Sequence, residues 1–334
     1  EYYMPVTIRD IARMVGVSRG TVDRALHGRS GVDDATKQAI LKAAEELNYR
    51  PNILARGLKT NKSCLMGVII PEIVSSFYPE IIQGIEEKAD AAGYSIILCT
   101  ISGKKSLDRH LSVMCDKRVD GVIVSTWRSD ESLQMYKDLM ADQMPMVSIS
   151  YDVDGFDIPV ITSDHQKGGY LATKALIDNG HKRIAHIGAA TEFGNERYQG
   201  YAKALNEAGI LIDEKIVNNN EAGNINVESI LDMLKLPDRP TAVFAITDLV
   251  AIRLIRILKE NGYTVPGDIS VIGFDDLYVA SQYLPALSTI RQPKYDLGVA
   301  ACEMLLKLID GEKVPGRMLD VELVMRETVA RIGM

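Results

Sequence analysis

The sequence predicts a small three-helix head, a short hinge helix, and an α/β body of two doubly wound parallel-sheet lobes. Three observations carry this. Residues 7–47 hold apolar residues at helical spacing, broken at a glycine. From Leu65 onward, continuous apolar runs alternate with amphipathic stretches, about ten times over some 270 residues. Charge also divides the chain: residues 1–62 hold eleven Lys/Arg against seven Asp/Glu, net +4, and the rest holds 27 against 38, net −11. A basic head on an acidic body is what a chain looks like when only its head meets a polyanion.

In the head, Thr7-Ile8-Arg9-Asp10 has the form of a capping box, with Asp10 in place of the usual glutamate. Ile8, Ile11, Ala12 and Val15 follow at helical spacing, and Gly16 stops the helix. Ser18 can cap a second helix whose Val22, Ala25 and Leu26 form one apolar stripe. A third helix begins near Asp33-Asp34, turns Ile40, Ala43, Ala44 and Leu47 inward, and ends at "NYRPN". Two short helices across a Gly-containing turn, closed by a third, form a helix-turn-helix, whose second helix enters the major groove by its N-terminal residues. With Val22, Ala25 and Leu26 inside, Arg19, Gly20, Asp23 and Arg24 face outward. Gly20 has no side chain to read with, and Asp23 would face a polyanion.

The next stretch, "PNILARGLKTNKS" (residues 51–63), starts well for a helix at Pro51 but runs under two turns before Thr60-Asn61. Gly57 costs it about 1 kcal/mol of propensity, and isolated helices this short are marginal in water. Leu54 and Leu58 share a face with no evident core to enter, flanked by Arg56, Lys59 and Lys62. The pattern suggests a hinge helix that orders on a partner, a second subunit together with DNA; the alternative is a plain interdomain linker with a little helix.

In the body, "LMGVIIP", "YSIILCT", "VDGVIVST", "MVSIS", "RIAHIGA", "TAVFAIT" and "DISVIGFDD" read as strands, with helices between them such as "YPEIIQGIEEKADAAG" and "GGYLATKALIDNGH". Continuous apolar strands separated by helices imply parallel sheets covered on both faces. Ligands of such sheets bind outside the carboxyl ends of the strands. The residues to inspect are therefore Glu72 to Phe77, Ser125 to Trp127, Ser150 to Asp152, Ala189 to Arg197, Thr247-Asp248, Asp275-Asp276 and Arg291-Gln292. Their carboxylates, amides, hydroxyls and aromatic rings suit a polar small molecule such as a sugar.

Other classes find little support. At 46% hydrophobic and 25% charged residues the chain reads as folded and soluble. No stretch resembles a signal peptide or approaches the ~18–20 apolar residues of a membrane span, so a cytoplasmic location is expected. Cys64, Cys99, Cys115 and Cys302 are scattered and read as free thiols. No P-loop, G-x-S-x-G or post-strand G-x-G-x-x-G is present, and His27, His110, His165, His181 and His186 show no metal spacing. Neither an enzyme, a metal site nor a cofactor is expected. His181, after the helix-ending Gly180, sits where a cation meets a helix dipole and reads as structural.

The run "VTIRDIARMVGVSRGTVDRALHG...ATKQAILKAAEELNYRPNILARGLKT" resembles the N-terminus of the LacI/GalR family of bacterial transcription regulators. "SDHQKGGYLA", "GHKRIAHIG", "ERYQGYAKAL", "TAVFAITD" and "DISVIGFDD" resemble landmarks of the periplasmic-binding-protein-like body these regulators share. The resemblance implies a repressor that binds a palindromic operator as a dimer under the control of an effector, a sugar or sugar derivative, between the lobes. It divides the chain into a DNA-binding domain (1–50), a hinge (51–63) and a body (64–334). The body's first lobe spans about 64–162 plus 292–322, and its second about 163–291 plus 323–334.

On the DNA side the resemblance implies contacts from Thr7, Arg9, Ser18, Arg19, Gly20, Thr21, Asp23, Arg24 and His27. It adds Asn52, Arg56 and Lys59 from hinge helices paired in the minor groove, where Leu58 would wedge between central base pairs. For the effector it implies Arg197, Asp275, Thr247 (where many members carry Asn) and Gln292. Phe77 joins them from the inspection of strand ends. Departures stand at Ser150, where the family often has Asp, so that Asp152 is an alternative. "EAGNIN" (221–226) lacks the usual pocket aromatic, which leaves Trp127 and Phe193 as candidates for stacking. Asp23 replaces the family's usual Ser, and three uses are open to it: a salt bridge aiming Arg19, acceptance of a cytosine amino proton, or plain solvation.

Two other readings remain at this level. "MGVIIPEIVSSFYPEIIQGIEE" is similar to the same stretch of catabolite control proteins of Gram-positive bacteria, which would replace the small effector by a phosphoprotein coregulator. A solute-binding module without a DNA role would have no use for residues 5–60. The chain lacks the leucine-heptad tail of a tetramer, so a homodimer is the expectation.

Overall fold

The computed structural model describes residues 6–26, 29–49, 62–101, 104–126, 130–141, 143–151, 156–220 and 225–332. The expected hinge helix with Asn52, Arg56, Leu58 and Lys59 lies outside the described residues, as do His27, Trp127 and Asp152. The chain forms two compact units, residues 1–64 and 65–334.

In the first unit, α1 (Ile8–Val15), α2 (Arg19–Leu26) and α3 (Asp34–Glu46) enclose Ile11, Val22 and Ile40, all fully buried. The Asp10 carboxylate accepts hydrogen bonds from Thr7 N (2.9 Å) and Thr7 Oγ1 (2.7 Å), which lower its pKa. Gly16 ends α1 at φ 74°, a conformation that costs glycine nothing. Ser18 Oγ accepts from Thr21 N at 3.1 Å and so caps α2.

The second unit holds two six-stranded sheets. The first contains β1 (Leu65–Ile70), β2 (Ser95–Thr100), β3 (Gly121–Val124), β4 (Met146–Ile149), β5 (Val160–Ser163) and β11 (Arg317–Leu319). Its order is β11-β5-β4-β3-β1-β2, parallel throughout. The second contains β6 (Ile184–Ala189), β7 (Val217–Asn220), β8 (Ala242–Ala245), β9 (Ser270–Asp275), β10 (Ser288–Arg291) and β12 (Glu322–Val324). Its order is β12-β10-β9-β8-β6-β7, with only β12 antiparallel. Both lobes therefore use the doubly wound order in which the first and third strands are neighbours, placing a topological switch point between them. Ser163 belongs to the first sheet and Glu322 to the second, so the chain crosses between lobes at 164, at 292–293 and at 320–321.

Each sheet is covered on both faces. Alternate residues of β6 enter different cores: Ala185, Ile187 and Ala189 join one, and Ile184 the other. In each lobe one helix pair packs backbone to backbone through glycine. These pairs are α4 (Tyr78–Ala91) with α12 (Lys294–Ile309), and α7 (His165–Asp178) with α8 (Glu192–Glu207). A Cβ on Gly84 would lie 2.2 Å from Tyr295 O, and one on Gly200 would lie 2.1 Å from Gln166 O.

His181 is a structural residue. It is buried, with Nδ1 2.9 Å from Thr241 Oγ1 and Nε2 3.1 Å from Ala330 O, and burial lowers its pKa. Its role is a neutral tie between segments, because a charge there would lack solvent.

Candidate functional site

On the head, Thr7, Arg9, Ser18, Arg19, Gly20 and Arg24 are exposed, and Thr21 and Asp23 half-buried. Thr21 Oγ1 lies 2.9 Å from Ser18 Oγ, so both hydroxyls stand at the N-terminus of α2, where anions are favoured. A Cβ on Gly20 would meet only Ser18 Oγ, at 3.8 Å, so packing does not require glycine there. A salt bridge aiming Arg19, four residues back, is one of the three uses open to Asp23. Its carboxylate takes Nη1 of Arg29 at 3.3 Å, and Arg29 N donates to Arg24 O at 2.9 Å.

In the body, the carboxyl ends of the switch-point strands converge on a cavity of about 730 Å3 between the lobes. The ends of β1 and β3 bring Glu72, Ser75, Phe77 and Ser125, and those of β6 and β8 bring Ala189 to Phe193, Ile246 and Thr247. Of the residues expected from sequence, Phe77, Ser150, Phe193, Arg197, Thr247, Asp275 and Gln292 all line it.

Arg197 is the centre of the polar wall. Its Nε and Nη2 approach His165 Nδ1 at 3.3 and 3.2 Å, its Nη1 donates to Ile246 O, and its Nη2 lies 3.7 Å from Asp275 Oδ1. The guanidinium carbon stacks 3.7 Å from the Phe274 ring centroid. Because arginine only donates, His165 Nδ1 must carry a lone pair and Nε2 the proton. Burial, reinforced by Arg197, pushes the His165 pKa well below its ordinary value, so the ring is neutral. Burial raises the Asp275 pKa, and the neighbouring Arg197, the Gln292 amide and Lys294 oppose that rise. Gln292 Nε2 donates to Asp275 Oδ1 at 2.7 Å.

Asp275 and Asp276 both adopt positive φ, 116° and 48°. Nζ of the buried Lys294 holds that turn by donating to both their carbonyls, at 2.8 and 3.0 Å. The Asp276 carboxylate takes Arg291 (2.7 Å) and Arg326 (2.6 Å). Asp248 is structural. Its buried carboxyl accepts from Leu277 N (2.7 Å) and Thr289 Oγ1, and burial raises its pKa. Thr247 caps the following helix, α10 (Asp248–Glu260), accepting from Val250 N at 3.2 Å, which leaves its hydroxyl proton for the cavity.

The other wall is aromatic. Tyr151, at the end of β4, meets Phe193 of the second lobe at 4.6 Å between ring centroids, and Phe193 in turn lies 4.6 Å from His165, the two rings tilted by 32°. Burial pushes the Tyr151 hydroxyl pKa up to about 12, keeping it a donor. His165 and Tyr78 are lining residues outside the strand ends picked from the sequence, and Tyr151 lies within the Ser150–Asp152 stretch without being singled out there. His165 follows β5, whose four residues "VITS" lack a long apolar run, so its carboxyl end was not inspected.

Comparison with known proteins decides the family. A model described as "Bacterial regulatory proteins, lacI family" matches residues 7–52, and one described as "Periplasmic binding protein-like domain" matches residues 173–329. The HTH-type transcriptional regulator RegA of Clostridium saccharobutylicum is 38% identical over 333 residues, covering 97% of this chain and 99% of its own. The chain belongs to the LacI family of bacterial regulatory proteins.

LacI-family structures match at full length. The lac repressor dimer bound to operator and the anti-inducer ONPF matches with a TM-score of 0.83 at 29% identity, covering 98% of this chain and 100% of that one. The transcriptional regulator CelR–cellobiose complex matches with a TM-score of 0.71 at 30% identity, covering 97% and 99%. As a LacI-family member the protein is a DNA-binding transcriptional regulator with a helix-turn-helix head and an effector-binding body. No enzymatic family is indicated. Among the described residues, no group of three or more His, Cys, Asp or Glu converges as a metal site, and no helix is long and apolar enough to cross a membrane.

Proposed function

We propose that this regulator is a repressor acting in the bacterial cytoplasm, that it binds a palindromic operator as a homodimer, and that a neutral sugar in the interlobe cleft controls it. The observation that carries the effector class is the engagement of charge in the cleft. Among its described lining residues stand three carboxylates (Glu72, Glu192 and Asp275) against one guanidinium. Arg197 already serves His165, Ile246 O and Asp275. Such a wall disfavours phosphate or carboxylate and suits hydroxyls, while Phe77, Tyr151 and Phe193 offer faces to a sugar ring. The solved CelR complex contains cellobiose, a neutral sugar.

Exposed apolar side chains at Leu249, Tyr278 and Leu284 support the dimer. The bond from Leu277 N to Asp248 draws the segments carrying Leu249 and Tyr278 together. The lac repressor structure is likewise a dimer. Effector binding would change lobe closure and with it the spacing of the 51–63 hinges, through a few kcal/mol of differential binding. Leu58→Ala should weaken operator binding markedly and leave effector binding intact, and unchanged operator affinity would remove the wedge role.

The test of the effector class is calorimetric titration of the protein with neutral mono- and disaccharides, their phosphates and nucleosides. Saturable binding of a neutral sugar, lost for its phosphate, is expected. Preference for the phosphate would overturn this reading. Response only to a phosphoprotein would replace it by the catabolite-control type of regulation.

A further inference from the structure

We propose that Arg29 is a DNA-contacting residue of the head and that Asp23 is the residue that positions it. The argument starts from α2. Arg19 and Asp23 lie one turn apart on its outward face, and Arg24 is exposed beside them. A bare carboxylate on this face would repel the phosphate backbone. The chain after α2 removes that conflict. The Arg29 backbone N–H closes on Arg24 O at 2.9 Å, and the Arg29 side chain returns to the Asp23 carboxylate at 3.3 Å.

Two features distinguish this pair from an ordinary surface ion pair. Asp23 is the less exposed partner, its side chain 28% accessible against 55% for Arg29, so the carboxylate is the seat and the guanidinium the part offered outward. The contact also uses a single nitrogen, Nη1, of a group that carries five donors in a planar fork. The rest of that fork is suited to a phosphate oxygen. Position selects phosphate over bases: Arg29 stands beyond the C-terminus of a helix that enters the groove by its N-terminus. The strip Arg19, Asp23, Arg24 and Arg29 then carries two net positive charges, where the first three alone carry one. A contact of this kind adds affinity at every sequence and carries no base preference of its own.

The experiment measures binding of the full chain to a random-sequence duplex pool across a range of salt concentrations. Arg29→Ala should weaken binding roughly tenfold across all sequences and lower the slope of log K against log salt by about one. Arg29→Lys, which keeps the charge, should restore the slope. In an Asp23→Asn background the cost of Arg29→Ala should shrink to under about threefold, because an unseated arginine has less contact to lose. A slope unmoved by Arg29→Ala overturns the contact. Equal costs of Arg29→Ala in both backgrounds overturn the positioning role of Asp23.

Discussion

The two lobes of the body share a strand order yet build opposite kinds of wall. The first contributes chiefly rings and hydroxyls attached to strand ends and the start of one helix, Phe77, Tyr78, Ser125, Ser150 and Tyr151, with the carboxylate of Glu72. The second contributes Arg197, His165, Asp275 and Thr247, and these hold one another before any ligand arrives: Arg197 on His165 and Asp275, Thr247 on its helix cap, with Gln292 of the crossover on Asp275. A wall whose polar groups are already paired loses little freedom on binding, so it can set the orientation of a ligand. A wall of rings meets a ligand through non-directional contacts, which tolerate small shifts better than aimed hydrogen bonds do. The same fold therefore supplies a fixed half and an adaptable half, and the Tyr151–Phe193 contact is where they meet.

The sharpest way to break this contrast is Arg197→Met. It strands a buried Asp275 and the Ile246 carbonyl, and removing one partner of a buried pair costs about 3–5 kcal/mol. Urea unfolding should show that loss together with loss of ligand binding, whereas Ser125→Ala in the first lobe should cost under about 1 kcal/mol. If the two cost the same, the second lobe is not the fixed half.

The glycine-packed helix pairs come next. Gly200→Ala and Gly84→Ala each force two backbones apart, and overpacking of this kind costs about 1–3 kcal/mol. Thermal melts should show similar losses. Gly200→Ala should also weaken ligand binding the more, because Gly200 lies within one turn of Arg197 on α8, whereas Gly84 lies nearly two turns from Tyr78 on α4.

Acid should separate the lobes as well. Burial lowers the pKa of His165, His181 and His186, all in the second lobe, with His186 brought from 6.5 to about 3. A histidine whose folded pKa lies below its unfolded value stabilises the fold fully above that unfolded value, and loses the contribution as pH falls. Between pH 6.5 and 3 the second lobe should weaken progressively, by about 2 kcal/mol at pH 5 from His186 alone. His186→Phe, set among Tyr198, Tyr201 and Phe244, should flatten that slope in urea titrations at stepped pH, and an unchanged slope would place the acid sensitivity elsewhere. The smallest effect is expected for Tyr151→Leu, which removes one ring of the cross-lobe contact. About 0.5–1.5 kcal/mol of ligand affinity should go, read by calorimetry, with stability near wild type.

What could be read along the chain were features with a local cause. Helix α1 and its stop at Gly16, the cap at Ser18 and the apolar strands β1, β3, β6, β8 and β9 follow from spacing and composition alone. So does the charge difference between head and body, and strand ends pointed to Arg197, Thr247 and Asp275. The strands that escaped notice are short or lie at sheet edges. β7 reads "VNNN" and β11 and β12 have three residues each, because an edge is solvated and needs no continuous apolar run.

Tertiary structure alone decided the pairings. That Asp23 turns to Arg29, that Asp248 is a core anchor while Asp275 faces the cleft, and that His165 is a neutral partner of Arg197 all depend on groups brought together by folding. In sequence an aspartate after a strand looks the same whether it caps a helix, ties two loops or meets a ligand. Only the low-dielectric site it folds into, and the donors waiting there, distinguish these roles.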